Sequence, residues 1–285
     1  MSIDFEKLQR DPVSRRAFLQ RMGAAGLGLA AVNLLQGCGG GGGGNNNNNG
    51  GGGDGVFPGI KGRSRDIKAL NYALTLEILE ADLYRQALNV ASGKPQNPNP
   101  NQETLDAFAT YTLAVPAGTF PGPGADTERR RQVGFLYLKQ FAFVEAAHRD
   151  FLRAAISAAG ATPVARNPKG YKFTTASPGT TIAEILTSIL PLEETGVRAY
   201  LGAVPLINDG GLVQTAGTIY STECRHSAAV RYILNQNDTG PSTMNGDIQV
   251  ATGTSTTDPS VLDQLFEKAL QPSTVINAVQ AYIVS

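Results

Sequence analysis

The sequence predicts an all-α protein: a bundle of four long helices, a long crossover between helices two and three, and two short helices at the C-terminus. Three observations point there. Four long stretches carry apolar residues at three- and four-residue spacings, the repeat of one buried helix face. Segments rich in Gly, Pro and Asn separate them. Hydrophobic residues at 41% against 17% charged describe a globular chain with ample core.

The first stretch, residues 66–90, has no internal Gly or Pro and ends at Ser92-Gly93. A Pro/Asn/Gly-rich insertion follows over 94–124, interrupted by a short helix expected near 103–111, and should sit outside any site. Asp126-Thr127 can cap the second helix, which runs to Gly160. After an irregular link over 161–179, a third helix spans 181–204, with Pro191 expected to kink it just before Glu193-Glu194. Gly210-Gly211 should break the chain before a fourth helix over 212–235. Two short helices, 260–270 and 274–283, close the sequence. Long helices with a long link between the second and third define a bundle with a crossover connection.

Composition excludes several functions. The 24 basic residues balance 24 acidic ones, whereas a nucleic-acid binder needs a basic face to neutralise phosphates. Two cysteines rule out a disulfide scaffold and a four-cysteine zinc site. With only two histidines, any metal must lean on carboxylates. Residues 1–37 are set apart as an export leader. Ser14-Arg15-Arg16-Ala17-Phe18-Leu19 resembles the twin-arginine motif, whose route carries folded proteins, and the apolar stretch at 22–35 is too short to span a bilayer. Leu35-Gln36-Gly37-Cys38 looks like a bacterial lipobox, with Cys38 as the acylated residue, although Gln36 departs from the small residue usual there. Residues 38–55, almost all Gly and Asn, offer nothing to bury and are expected to form a flexible tether. The working domain is then 56–285, held at the membrane of the cell envelope or periplasm through Cys38.

Both histidines sit in one local pattern: Glu145-Ala146-Ala147-His148 on helix two and Glu223-Cys224-Arg225-His226 on helix four. Residues three apart share a helix face, so each pair can present a carboxylate and an imidazole to one point. Helices one and three share a second pattern, Glu77 with Tyr84 and Glu193 with Tyr200, seven apart and so two turns along one face. The chain thus reads as two hairpins, each a Glu-x6-Tyr helix followed by a Glu-x-x-His helix. Six candidate metal ligands follow: Glu77, Glu145, His148, Glu193, Glu223 and His226. Glu80 lies close enough around helix one that geometry does not exclude it. Glu194 should face solvent or a partner behind the ligands. Cys224 reads as a small buried side chain rather than a nucleophile.

This pattern resembles the ferritin-like di-iron carboxylate proteins, which take one Glu from each of two helices and a Glu-x-x-His from each of the other two. Within that superfamily, NYALTLEILEADLY (from Asn71) and LEETGVRAY (from Leu192) are similar to exported bacterial ferritin-like proteins related to plant desiccation-related proteins. The resemblance implies a ferritin-like bundle over about residues 66–235 that holds two iron ions, with manganese the other candidate. It also implies oxidation of Fe(II) or reaction with O2 or peroxide, and tyrosines 84 and 200 hydrogen-bonded to ligand carboxylates. The alternative it implies is a non-catalytic, metal-stabilised envelope protein of stress protection. The insertion and the tether argue against a ferritin storage cage.

Overall fold

The computed structural model describes residues 55–120, 126–234 and 267–284. The leader, Cys38, nearly all of the tether and most of the expected helix over 260–270 lie outside these residues; 267–270, which belong to that expectation, are not helical. Among the described residues no helix is long and apolar enough to cross a membrane.

Helix α1, Arg65–Ala91, starts where the Ser64 hydroxyl accepts the Ile67 N–H, and ends at Ser92. The next residue, Gly93, has φ 70°, a conformation that side chains disfavour. Helix α2, Thr127–Ala158, is capped by Asp126, whose carboxylate accepts the Arg129 N–H. Helix α3, Ile182–Ala203, opens on a reciprocal cap: Thr181 accepts the Glu184 N–H while the Glu184 carboxylate accepts that of Thr181. It runs unbroken across Pro191. Helix α4, Gly210–Leu234, begins two residues earlier than its sequence suggests. Asp209 accepts the Leu212 N–H, and this cap lets the two glycines join the first turn rather than break the chain. A short α5, Pro272–Val279, follows. The helix expected near 103–111 shrinks to a single 3-10 turn, Phe108–Thr110. The loop around it is held from outside: Arg149 donates to the Glu103 carbonyl, and the Lys139 ammonium lies 3.9 Å over the Phe108 ring.

Helices α1 and α2 pack as one hairpin and α3 and α4 as a second; the hairpins meet through α1 against α3 and α2 against α4. Fully buried Leu74, Leu83, Leu88, Leu138, Ile156, Ile182, Ile185 and Ile189 fill the core, each worth about 1.5–3 kcal/mol of burial.

Helix α1 is the axis of the molecule, because loops cover the face that bundle helices leave bare. Asn71 donates to the carbonyls of Lys61 and Thr162 and accepts the Val164 N–H. Buried Asp82 receives Arg85, Arg166 and Gln86, and Gln86 also donates to the Tyr171 carbonyl. The crossover between α2 and α3 is in turn paired with the C-terminal segment, where Lys172 donates to the Tyr282 carbonyl and Tyr171 bridges Ile283. Leu270 donates to the Arg198 carbonyl and presses on α3 at Gly202, where a β-carbon would lie 1.8 Å from the Leu270 carbonyl oxygen.

Candidate metal centre

The spacings along the four helices bring all six candidate ligands to one point in the middle of the bundle. Glu77, Glu145, Glu193 and Glu223 are buried to within 1% of complete. His226 is almost as deep, and His148 is the most open of the six. They form two groups, Glu77–Glu145–His148–Glu223 and Glu145–Glu193–Glu223–His226, with donor atoms in each within 4.8 Å of one another. Glu145 and Glu223 belong to both. Glu145 Oε2 lies 3.0 Å from His148 Nδ1, and its Oε1 lies 2.7 Å from His226 Nδ1. Glu77 and Glu223 approach His148 Nδ1 at 3.4 Å each, and Glu193 approaches His226 Nδ1 at 3.5 Å. The Phe141 ring, stacked 3.8 Å from the imidazole of His226, fixes its plane.

The two tyrosines act crosswise. Tyr200 on α3 donates to Glu77 Oε1 on α1 at 2.5 Å, and Tyr84 on α1 donates to Glu193 Oε1 on α3. Each phenol occupies one oxygen of its carboxylate and leaves the other, Oε2, without a partner. Glu145 Oε1, both oxygens of Glu223 and His226 Nδ1 are likewise buried and make no hydrogen bond, although Glu145 Oε1 and His226 Nδ1 stand 2.7 Å apart as an ion pair. Buried polar atoms are almost always satisfied, so six orphan donor atoms facing one another demand a ligand. Carboxylate oxygens and imidazole nitrogens suit hard-to-borderline divalent ions such as iron or manganese. The residues fit a metal.

Sequence leaves Glu80 and Glu194 open, and the structure separates them. Glu80 is a buried fifth carboxylate against the cluster, its Oε2 unpartnered. Glu194 does not face solvent: it is buried and points away to α4, where Ser227 and Arg231 donate to its Oε1 and Arg198 lies 3.6 Å from Oε2. Arg198 continues the pairing to Glu267 in the C-terminal segment. Cys224 is half-buried rather than buried, and burial first, then neighbouring carboxylates, push its thiol up, away from nucleophile behaviour.

Gly196 is a site residue that periodicity passes over. A β-carbon there would lie 2.9 Å from Glu223 Oε2 and 3.2 Å from Glu80 Oε1, so this turn of α3 has no side chain because two carboxylates occupy the space. Gly196→Ala should restore about 1 kcal/mol of helix propensity yet fail to raise the melting temperature. It should also weaken Mn(II) binding about tenfold, the cost of displacing a ligand or its support. Equilibrium dialysis checks this, and a variant that is more stable with unchanged affinity would refute the crowding.

Burial dominates the ionisation of the metal-free centre. It pushes Glu77, Glu80, Glu193 and Glu223 up, and for Glu80 and Glu223 neighbouring carboxylates push further. Glu145 moves the other way: burial raises it, but His148 and His226 outweigh burial and hold it low. Burial pulls both histidines down, yet the carboxylates around them win, leaving His148 well above its ordinary range and His226 pushed up to about 10. Raised carboxyls keep protons that the unfolded chain releases above about 4.3, so their stabilisation is lost as pH rises through their folded values. Raised histidines contribute fully below about 6.5 and lose that contribution as pH climbs through the folded value. Within the centre, Glu145 alone gives stability that disappears on acidification. Metal-free protein should therefore melt highest near pH 5, as a rough optimum, and progressively lower toward alkaline pH. Calorimetry in chelator checks this; a melting temperature that climbs from acid to alkaline pH would contradict it.

A four-helix bundle of two hairpins, each bringing a carboxylate helix and a Glu-x-x-His helix to one buried cluster that could hold metal, is the arrangement of the ferritin-like class of helical proteins. A family model described as a ferritin-like domain matches residues 65–236. The match covers more than half of the chain, and the chain belongs to the ferritin-like domain family. Among curated protein sequences, none matches it.

Proposed function

We propose that this protein binds a dinuclear metal centre, iron by preference, and oxidises Fe(II) with O2 or peroxide from the cell envelope. The observation that supports this is the set of six orphan buried donor atoms in two groups that share Glu145 and Glu223. Glu77 and His148 would hold one ion and Glu193 and His226 the other, with Glu145 and Glu223 spanning both. Held by these residues, two Fe(II) ions would supply two electrons, one each, enough with two protons to take O2 to hydrogen peroxide or hydrogen peroxide to water.

The chain's own residues do the rest. Tyr84 and Tyr200 each hold a terminal carboxylate by one oxygen and aim the other at the centre. Glu145 is already held low, ready to bind as the anion. Export and attachment through Cys38 rest on the twin-arginine-like and lipobox-like motifs; acylation of Cys38 should appear as added lipid mass, and Cys38→Ala should leave the membrane fraction.

Metal content per chain, followed by O2 and peroxide consumption on adding Fe(II), tests the proposal. Two ions per chain with oxidant consumed is the expected result. Two ions without consumption would make the centre structural, the stress-protection reading. A chain that takes up no Fe(II) would end the dimetal reading.

A further inference from the structure

We infer that the bundle contains a dry cavity sized for a small apolar molecule, reaching one tyrosine ring from the metal centre, and that the oxidant it delivers is O2 rather than peroxide. The inference rests on the proposed function and sharpens it.

The cavity has a volume of about 30 Å³ and draws walls from all four long helices. Its breadth comes from short side chains, Ala73 on α1 and Ala216 on α4, among larger ones such as Leu76, Leu152 and Ile219. Its outer end is at Asp66 and Ile207, beside the start of α1. Its inner end touches Leu76, next to Glu77, and the ring of Tyr200, whose hydroxyl donates to Glu77 Oε1. A guest in the cavity is thus separated from a candidate ligand by one aromatic ring.

Apart from the Tyr72 hydroxyl, the polar side chains on the walls are engaged elsewhere. Thr215 donates to the Gly211 carbonyl at 3.0 Å, Asp66 accepts the Asn208 N–H at 2.7 Å, and the Tyr200 hydroxyl faces Glu77. Of the lining side chains only Tyr72 keeps a buried polar atom without a partner. A water molecule needs about 10–15 Å³ and 2–4 polar partners, so the space suffices but the partners do not. Hydrogen peroxide, with two hydroxyl groups, loses more hydrogen bonds than water on entering, and each unmet one costs roughly 1–3 kcal/mol. O2 loses none. The walls select for it by leaving its polar competitors unsatisfied.

Xenon is the probe, because it fills apolar cavities without needing hydrogen bonds. Methyl NMR of the metal-free full chain under xenon pressure should show shifts at Ala73, Leu76, Ala216 and Ile219. Ala216→Leu should abolish them, with Ala73→Leu filling the opposite wall as the second variant if the first melts early. With Fe(II) loaded, filling the cavity should slow oxidation by O2 about tenfold, as blocking a reactant's path does, and leave the rate with hydrogen peroxide unchanged. Absence of xenon shifts overturns the inference whether or not the chain takes up metal. Equal slowing of both oxidants, or of neither, also overturns it. Xenon binding by a chain that refuses Fe(II) overturns the metal reading, and O2 delivery with it, while the apolar site stands.

Discussion

Saturating the chain with Mn(II) or Fe(II) is expected to raise its melting temperature by roughly 8–16 °C per ion, and His148→Ala combined with His226→Ala is expected to abolish the rise. The size follows from linkage. An ion at a thousandfold excess over its Kd stabilises the folded state by about 4 kcal/mol, and each kcal/mol moves a domain of this size by about 2–4 °C. The cause is the crowd of five buried carboxylates, Glu77, Glu80, Glu145, Glu193 and Glu223, which without metal have only two imidazolium groups and retained protons to offset them. Cations relieve that repulsion and satisfy the orphan oxygens together. Loading must also expel the retained protons, so affinity should rise with pH while metal-free stability falls. Thermal melts with chelator and with metal measure the difference. A wild-type melting temperature indifferent to a large excess of either ion would sink the expectation.

Asp82→Ala should cost about 3–5 kcal/mol, the penalty for leaving buried partners of an ion pair uncompensated. Asp82 is 3% exposed and Arg85 1%, and one Asp82 oxygen takes both Arg85 and Arg166 at 3.0 Å. Its other oxygen takes Gln86, which fastens the crossover through the Tyr171 carbonyl. The loss therefore strips the loops from α1 rather than the helices from one another. Metal bound per folded chain should stay at the wild-type value, since Asp82 donates nothing to the centre. Asp82→Asn, which keeps acceptors but not the charge, should fall between. Urea melts read both variants. A shift of Asp82→Ala within about 0.5 kcal/mol, the range of ordinary surface changes, would mean that solvent already reaches this network.

What could be seen in the sequence was the local part of the structure. The four helices follow from spacing and caps such as Asp126, and the Glu-x-x-His and Glu-x6-Tyr intervals place side chains on shared faces because helical geometry is fixed. All six candidate ligands meet where those intervals predict. What could not be seen depends on contacts between distant segments. Periodicity assigns no partner to the polar residues Asn71, Asp82, Arg85 and Gln86 of α1, which loops from far along the chain bury. Periodicity likewise gives no way to tell Glu80, turned to the centre, from Glu194, held by Ser227 and Arg231. The spacing puts Glu77 and Tyr84 on one face of one helix but does not say which carboxylate each tyrosine holds; the hydrogen bonds cross between hairpins. Gly196 shows only as a weak helix residue until the carboxylates beside it are placed.

Those crossed hydrogen bonds bear on how the protein is made. Tyr84 and Glu193 are 109 residues apart, and Tyr200 and Glu77 are 123. A chain leaving the ribosome with α1 and α2 complete carries Glu77, Glu145 and His148, but Glu77 lacks the phenol that aims it, and Glu223, which both donor groups share, has yet to be synthesised. Neither group of four donors exists until Glu223 has emerged, and the second waits for His226. The candidate centre is therefore assembled only in the finished chain, and a truncated product of translation holds neither complete group.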